Sequence, residues 1–234
     1  MLKSTKNNKY LAVIPARGGS KRLPGKNLKP LAGVPLLNWT IDAARNSSCI
    51  DKVIVSSDDD CILALVQRKG VVGLRRPAAL SADTSSTVDA LRHAVTEEGE
   101  GFDHVVLLQP TSPLRNEIHI DAAIDYYELK NCSSVVSVCE VDHSPQWANT
   151  LPDNNSLKGF IKSDVVGKRS QDLEIYYRLN GAIYIISIEL LMAENRLIFD
   201  DSFAFIMDKK NSVDIDTIYD FIYAEAVLKY DANK

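Results

Sequence analysis

Arg17, Lys21, Arg22, Lys26 and Lys29 stand among Gly18, Gly19 and Gly25 in the segment IPARGGSKRLPGKNLKP, the densest positive patch of the sequence. Glycines let a backbone approach a phosphate with its N–H groups outward, and the cations offset the charge of a triphosphate. Two familiar phosphate loops are excluded by counting. A Walker A loop needs four residues between Gly and Gly-Lys followed by Ser or Thr, whereas Gly19 and Gly25 are separated by five and Asn27 follows Lys26. The G-x-G-x-x-G fingerprint of a nicotinamide dinucleotide site is missing as well. Near the other end, Asp214 and Asp216 flank Ile215. Residues two apart in an extended backbone point to the same side, so both carboxylates can face one Mg²⁺, an ion that takes one or two carboxylates plus phosphate oxygens. An alternative reading makes Asp216 the N-cap of the helical run TIYDFIYAEAVL that follows it.

The elements that must position these groups are visible in the apolar pattern. Runs at Leu11–Ile14, Val53–Val55, Val105–Leu108, Val135–Val138 and Ala182–Ile186 are short and too continuous to be one-faced, which predicts buried strands. Helical stretches near Pro35–Ala44, Asp59–Lys69, Ser86–Glu98 and Glu117–Leu129 lie between them, the alternation of a largely parallel sheet. Ser86 and Asp89 have capping-box spacing at the start of the third helix. The cationic loop follows the first strand, where ligands of open α/β sheets bind, beyond the strands' carboxyl ends. Between about 140 and 180 the alternation lapses into a segment rich in Pro, Asn, Asp, Ser and Lys, a candidate insert in a single domain spanning 1–234. Asp58, Asp59 and Asp60 are read as a solvated helix start.

Composition narrows the classes of function. Lys and Arg number 27 against 31 Asp and Glu, a formal charge of −4 that argues against nucleic-acid or membrane binding through a global basic field. No run approaches a membrane span and no signal peptide is evident, so the cytoplasm is the expected location. Cys49, Cys61, Cys132 and Cys139 lack redox or zinc spacing and are read as reduced thiols. None of His93, His104, His119 and His143 forms a metal-ligand spacing with another.

Five segments in order, IPARGGSKRLPGKNL, RPAALSADTSS, LLQPTSPLR, RLNGAIYI and DIDT, resemble the acylneuraminate cytidylyltransferases over residues 10 to about 228. The resemblance implies a three-layer, Rossmann-like nucleotidyltransferase fold with a mostly parallel sheet and a small inserted dimerisation lobe. It implies joining of CTP to a nine-carbon 2-keto sugar acid with release of pyrophosphate, assisted by Mg²⁺, for which Mn²⁺ can substitute. On this reading Arg17, Ser20, Lys21 and Lys26 contact the CTP phosphates with Asn27 nearby, and Arg76, Ser85 and Thr87 hold nucleotide. Gln109, Asn180 and Tyr184 match positions that face the sugar acid, although from residue type alone Tyr184 fits a core strand and Gln109 and Asn180 fit ties between strand ends and loops. Arg17, Lys21, Lys26, Asp214 and Asp216 are the expected catalytic groups, with the Asp pair as metal ligands and one of them as base.

The resemblance further implies a homodimer in which the insert enters the partner's site, with Arg169 meeting the sugar carboxylate bound there. Trp147 and the run Leu197-Ile198-Phe199 depart from members with a basic residue and paired aromatics at these points, which favours a more apolar acceptor such as legionaminic acid over N-acetylneuraminic acid. Three alternatives stand beside this reading: a cytidylyltransferase for 3-deoxy-manno-octulosonic acid (Kdo), whose first motif is similar, a nucleotide-binding module without turnover, and a nucleotidyltransferase using another base, since the motifs alone do not show how cytosine is chosen.

Overall fold

Alternate residues of the first apolar run enter two different cores. In the computed structural model, which describes residues 8–82 and 85–232, this run is β1 (Tyr10–Pro15), with Ala12 and Ile14 packed on one side of the sheet and Leu11 and Val13 on the other. All four are fully buried. At roughly 1.5–3 kcal/mol for each large aliphatic side chain, a strand without a polar face is stable only as a middle layer.

The chain continues through a two-stranded ribbon of β2 (Pro30–Leu31) and β3 (Val34–Pro35) into α1 (Leu36–Asn46), β4 (Lys52–Ser57), α2 (Asp60–Arg68) and β5 (Val72–Arg75). It then forms α3 (Thr87–Glu98), β6 (His104–Leu107), α4 (Glu117–Lys130), β7 (Ser134–Glu140), β8 (Tyr177–Ser187), α5 (Ile188–Glu194), β9 (Phe203–Ile206) and α6 (Ile218–Ala232). The main sheet has the order β5-β4-β1-β6-β8-β7-β9. Residues of α1, α2 and α4 cover one face and those of α3 and α5 the other, giving the three expected layers. Leu37, Ile41 and Ala44, at i, i+4 and i+7, form the buried stripe of α1. Ser86 and Asp89 form the reciprocal capping box at the start of α3.

The strand and helix alternation breaks down at β8, which pairs antiparallel with both β6 and β7. Edge strands β5 and β9 escaped the apolar pattern because they are short and partly exposed, so they carry no continuous buried run. Residues 141–176 separate β7 from β8 and contain two short 3₁₀ turns, Pro145–Trp147 and Ser170–Asp172. Leu151, Leu157, Val166 and Ile175 of this insert are exposed. Among the described residues no helix is long and apolar enough to cross a membrane. The amino-terminal residues read above for a leader, and Asp83 and Thr84 of the second motif, lie outside the described residues.

Candidate active site

From β1 the chain runs to β4 on one side and later returns to β6 on the other, so a crevice opens at the carboxyl end of β1. A cavity of about 550 Å³ occupies that position. The loop after β1 reaches it because three anchors hold the loop down. Leu23 is buried in a third core with Leu36, Ile215 and Phe221, Asn27 Nδ2 donates to the Arg17 carbonyl at 2.9 Å, and the Gly18 N–H donates to Asp58 Oδ1 at 3.0 Å. With the backbone pinned, Arg17, Ser20, Lys21, Arg22, Lys26 and Asn27 all line the cavity.

The Asp58 contact corrects the reading of residues 58–60 as merely a solvated helix start. Asp59 does cap α2, accepting from the Ile62 N–H at 3.0 Å, but its side chain also packs against Gly18, where a Cβ would lie 2.6 Å from Asp59 Oδ2. Asp58 sits just past the carboxyl end of β4, beside β1, and that position was the available signal. On the expectation from sequence that this loop holds a triphosphate, replacing Gly18 with Ala should displace the loop and raise the KM for nucleotide about tenfold, a loss comparable to one hydrogen bond to a charged group. Steady-state kinetics with the nucleotide varied checks this, and an unchanged KM would show that the loop has room to give.

The acidic segment closes the other wall. Val213 and Ile215 are buried in the third core while Asp214 and Asp216 line the cavity. Ile215 N–H donates to the Thr111 carbonyl at 2.8 Å, which ties the segment to the loop after β6. Lys26 Nζ crosses to this segment, donating to the Ile215 carbonyl at 2.7 Å and to Asp216 Oδ1 at 3.3 Å. Arg22 Nη1 lies 2.9 Å from Asp216 Oδ2. The start of α6 is capped by Thr217, which exchanges hydrogen bonds with Asp220. The cap alternative for Asp216 is thereby replaced, and its carboxylate is left to the cations. Burial raises the pKa of Asp214 above the ordinary carboxylate value, and Asp216 adds to this, while the Thr111 hydroxyl, Lys26 and Arg178 offset part of it. Arg178 and Thr111 were not singled out from sequence.

Arg76 is buried, 6% exposed, and donates to the Ser56 carbonyl at 2.7 Å with its Nε unpartnered. Burial lowers its pKa, and the nearby Arg17 adds to that effect while Asp58 opposes it. Two cations held this close favour an anion between them. Ser85, Ser86 and Thr87 bring the amino end of α3, its positive pole, to the same cavity. Gln109 lines it from the end of β6, lying over Gly181, whose φ of +74° and lack of a Cβ leave that space open. The lining holds five cations, Arg17, Lys21, Arg22, Lys26 and Arg76, against two carboxylates, Asp214 and Asp216, a local excess of three in a chain whose formal charge is −4.

Three expected site residues are not among this lining. Asn180 is buried, bonded to the Ser137 hydroxyl at 2.6 Å and the Ser212 hydroxyl at 2.9 Å, so it ties β8 to its neighbours. Tyr184 is half-buried on β8, its pKa raised by burial and by the charge of Asp214. Arg169 is exposed in the insert, where its N–H donates to Asp172 Oδ2 at 3.4 Å.

Among the described residues no cluster of three or more His, Cys, Asp or Glu could hold a metal alone. Asp214 and Asp216 nevertheless fit Mg²⁺. They are hard oxygen donors facing one cavity, and burial leaves Asp214 in need of a cation, with phosphate oxygens or water available to complete the shell.

A mostly parallel three-layer α/β fold with a cationic crevice and a carboxylate couple at its switch point defines a protein of nucleotidyltransferase architecture. The cytidylyltransferase family model matches residues 11–219, and the chain belongs to that family. The N-acylneuraminate cytidylyltransferase of Streptococcus agalactiae is 37% identical over 225 residues, covering 95% of this chain and 54% of that protein, so the chain spans about half that relative's length. The CMP-N,N'-diacetyllegionaminic acid synthase of Legionella pneumophila is 36% identical over 94% of this chain and 97% of its own. A solved CMP:2-keto-3-deoxy-manno-octonic acid synthetase complexed with CTP is similar in fold, with TM-score 0.74 and 18% identity, covering 96% of this chain and 100% of that one.

Proposed function

We propose that this protein joins CTP to a nonulosonic acid, a nine-carbon 2-keto sugar acid, forming the CMP-sugar and pyrophosphate. The observation that carries this reading is the pair of contacts from Lys26 Nζ to the Ile215 carbonyl and to Asp216, at 2.7 and 3.3 Å, which unites the phosphate loop and the acidic couple in one cavity. Relatives whose names specify CMP-sugar synthesis support the choice of reaction.

Arg17, Lys21 and Lys26, with the amino end of α3, bind and orient the triphosphate so that its α-phosphorus faces the acceptor. The anomeric hydroxyl of the sugar acid attacks that phosphorus. The new O–P bond forms as the α–β bridging bond breaks, and pyrophosphate leaves against the same cations. One of Asp214 and Asp216, the two carboxylates that line the cavity, takes the hydroxyl proton. Mg²⁺ or Mn²⁺, held by Asp214 and Asp216, supplies Lewis-acid stabilisation of the phosphate oxygens when bound. Gln109 and Tyr184 face the acceptor side, with Asn180 fixing the strand beneath them.

Pyrophosphate release tests this, measured for CTP, UTP, ATP and GTP with N-acetylneuraminic, legionaminic, pseudaminic and Kdo acids. Release with CTP and a nonulosonic acid is expected. Release with Kdo alone would move the protein to the Kdo branch, and tight CTP binding without release from any acceptor would make it a binding module.

The exposed apolar residues of the insert support pairing of two copies through it, with Arg169 serving the partner's sugar site. Arg169→Ala and Asp214→Asn proteins should then each be nearly inactive, and mixing them should restore activity, because one site of the mixed dimer keeps both native residues. No recovery after mixing and refolding, with a mixed dimer present, would place Arg169 in its own subunit's chemistry or in none.

A further inference from the structure

Both carboxylate oxygens of Asp216 are already engaged, each by a different cation: Oδ2 by Arg22 Nη1 at 2.9 Å and Oδ1 by Lys26 Nζ at 3.3 Å. A divalent cation approaching Asp216 competes with both of them for the carboxylate, and the two differ in how firmly they are held. The Lys26 side chain is 15% exposed and also donates to the Ile215 carbonyl, so it is fixed at two points. The Arg22 side chain is 72% exposed, and its Asp216 partner 39%. Exposed ion pairs of this kind are weak, because water and salt compete for both charges. Arg22 is therefore the cation that yields.

We propose that Arg22 is a further substrate-binding residue that exchanges anions, holding Asp216 in the empty protein and moving to the triphosphate when a divalent cation takes that carboxylate. The proposal rests on the reading of Asp214 and Asp216 as metal ligands given above. Arg22 lines the same cavity as Arg17 and Lys21, so the triphosphate is within its own cleft. A guanidinium presents paired donors that match phosphate oxygens as well as they match a carboxylate, which lets one side chain serve both anions. The exchange also leaves Asp216 paired with a cation in each state. Without ligand, Arg22 compensates Asp216; with ligand, the metal compensates Asp216 and Arg22 is free to meet the added negative charge.

The exchange predicts opposite effects of one substitution on two ligands. Arg22→Gln should tighten Mn²⁺ binding to the nucleotide-free protein about threefold, the scale on which a surface ion pair competes, as read from the free-Mn²⁺ electron paramagnetic resonance signal. The same variant should weaken CTP binding in the presence of Mg²⁺ about tenfold, the loss expected for a hydrogen bond between charged groups, as read by calorimetry without acceptor. Arg22→Lys should recover part of the CTP affinity. Lys29→Gln is the charge control, since Lys29 belongs to the same loop but does not line the cavity. A merely structural role for Arg22 would weaken both ligands together, and that result would overturn the proposal. So would unchanged affinity for either ligand in Arg22→Gln, or an equal gain in Mn²⁺ affinity from Lys29→Gln. If Asp216→Asn leaves Mn²⁺ binding by the otherwise native protein unchanged, the metal reading fails, and the exchange fails with it; if Asp216→Asn abolishes binding while Arg22→Gln has no effect, only the exchange fails.

Discussion

Lys26→Met should lower kcat/KM for CTP by about 10²–10³, the range lost when one preorganised donor to developing charge is removed. Methionine keeps the length and most of the apolar stem of lysine, so the change isolates the ammonium group. That group does two things at once. It donates to the Ile215 carbonyl at 2.7 Å and to Asp216 at 3.3 Å, fastening the loop after β1 to the acidic segment, and it adds positive charge to the cavity. Its loss frees the two walls from each other and leaves a half-buried carbonyl without that donor, at about 1–3 kcal/mol of stability. It also pushes the pKa of Asp214 further up, because Lys26 is one of the charges that restrain the effect of burial there. Arg at this position should restore charge but not the fit to the Ile215 carbonyl, so Lys26→Arg is expected to lie between the two. Turnover within about fivefold of the native protein would mean that the cavity does not depend on the bridge, and the proposed chemistry would have to be moved elsewhere.

Asp214→Asn should separate stability from activity. On the metal-ligand role proposed above for Asp214, its loss is expected to lower kcat by about 10³. The same substitution should stabilise the metal-free protein at neutral pH. Burial raises the folded-state pKa of Asp214 above its unfolded value, so between those two values the folded state binds more protons and stability falls as pH rises. Above the folded pKa the whole penalty is present, and asparagine, which has no charge to desolvate, escapes it. Melting in EDTA should show the variant higher by about 3 °C near pH 7, roughly the shift produced by 1 kcal/mol in a domain of this size. The gap should close as pH falls towards the ordinary carboxylate value. A variant that melts below the native protein at pH 7 would show that Asp214 is stabilised by its neighbours more than it is penalised by burial.

How far the residues alone carried these conclusions depends on the range of the forces involved. Local rules were enough where a side chain's role is set by its near neighbours in the chain. The buried runs of β1, β4 and β6 are apolar on both faces and had to be central strands. Ser86 and Asp89 cap α3 because the capping box is a four-residue device. The glycine and lysine loop was recognisable because its charges lie within a dozen residues of one another. Tertiary structure decided everything that depends on groups far apart in sequence. Asp58 became a support for the phosphate loop only because β4 lies beside β1. Asp216 lost the role of cap because Thr217 and Asp220 pair with each other. Arg22 and Lys26 met it across 194 and 190 residues of chain. Composition and spacing determine which elements form and which charges exist, since those follow from short-range sterics and burial. Which charges face one another is set by the order of strands in the sheet, and that order is a property of the packed whole.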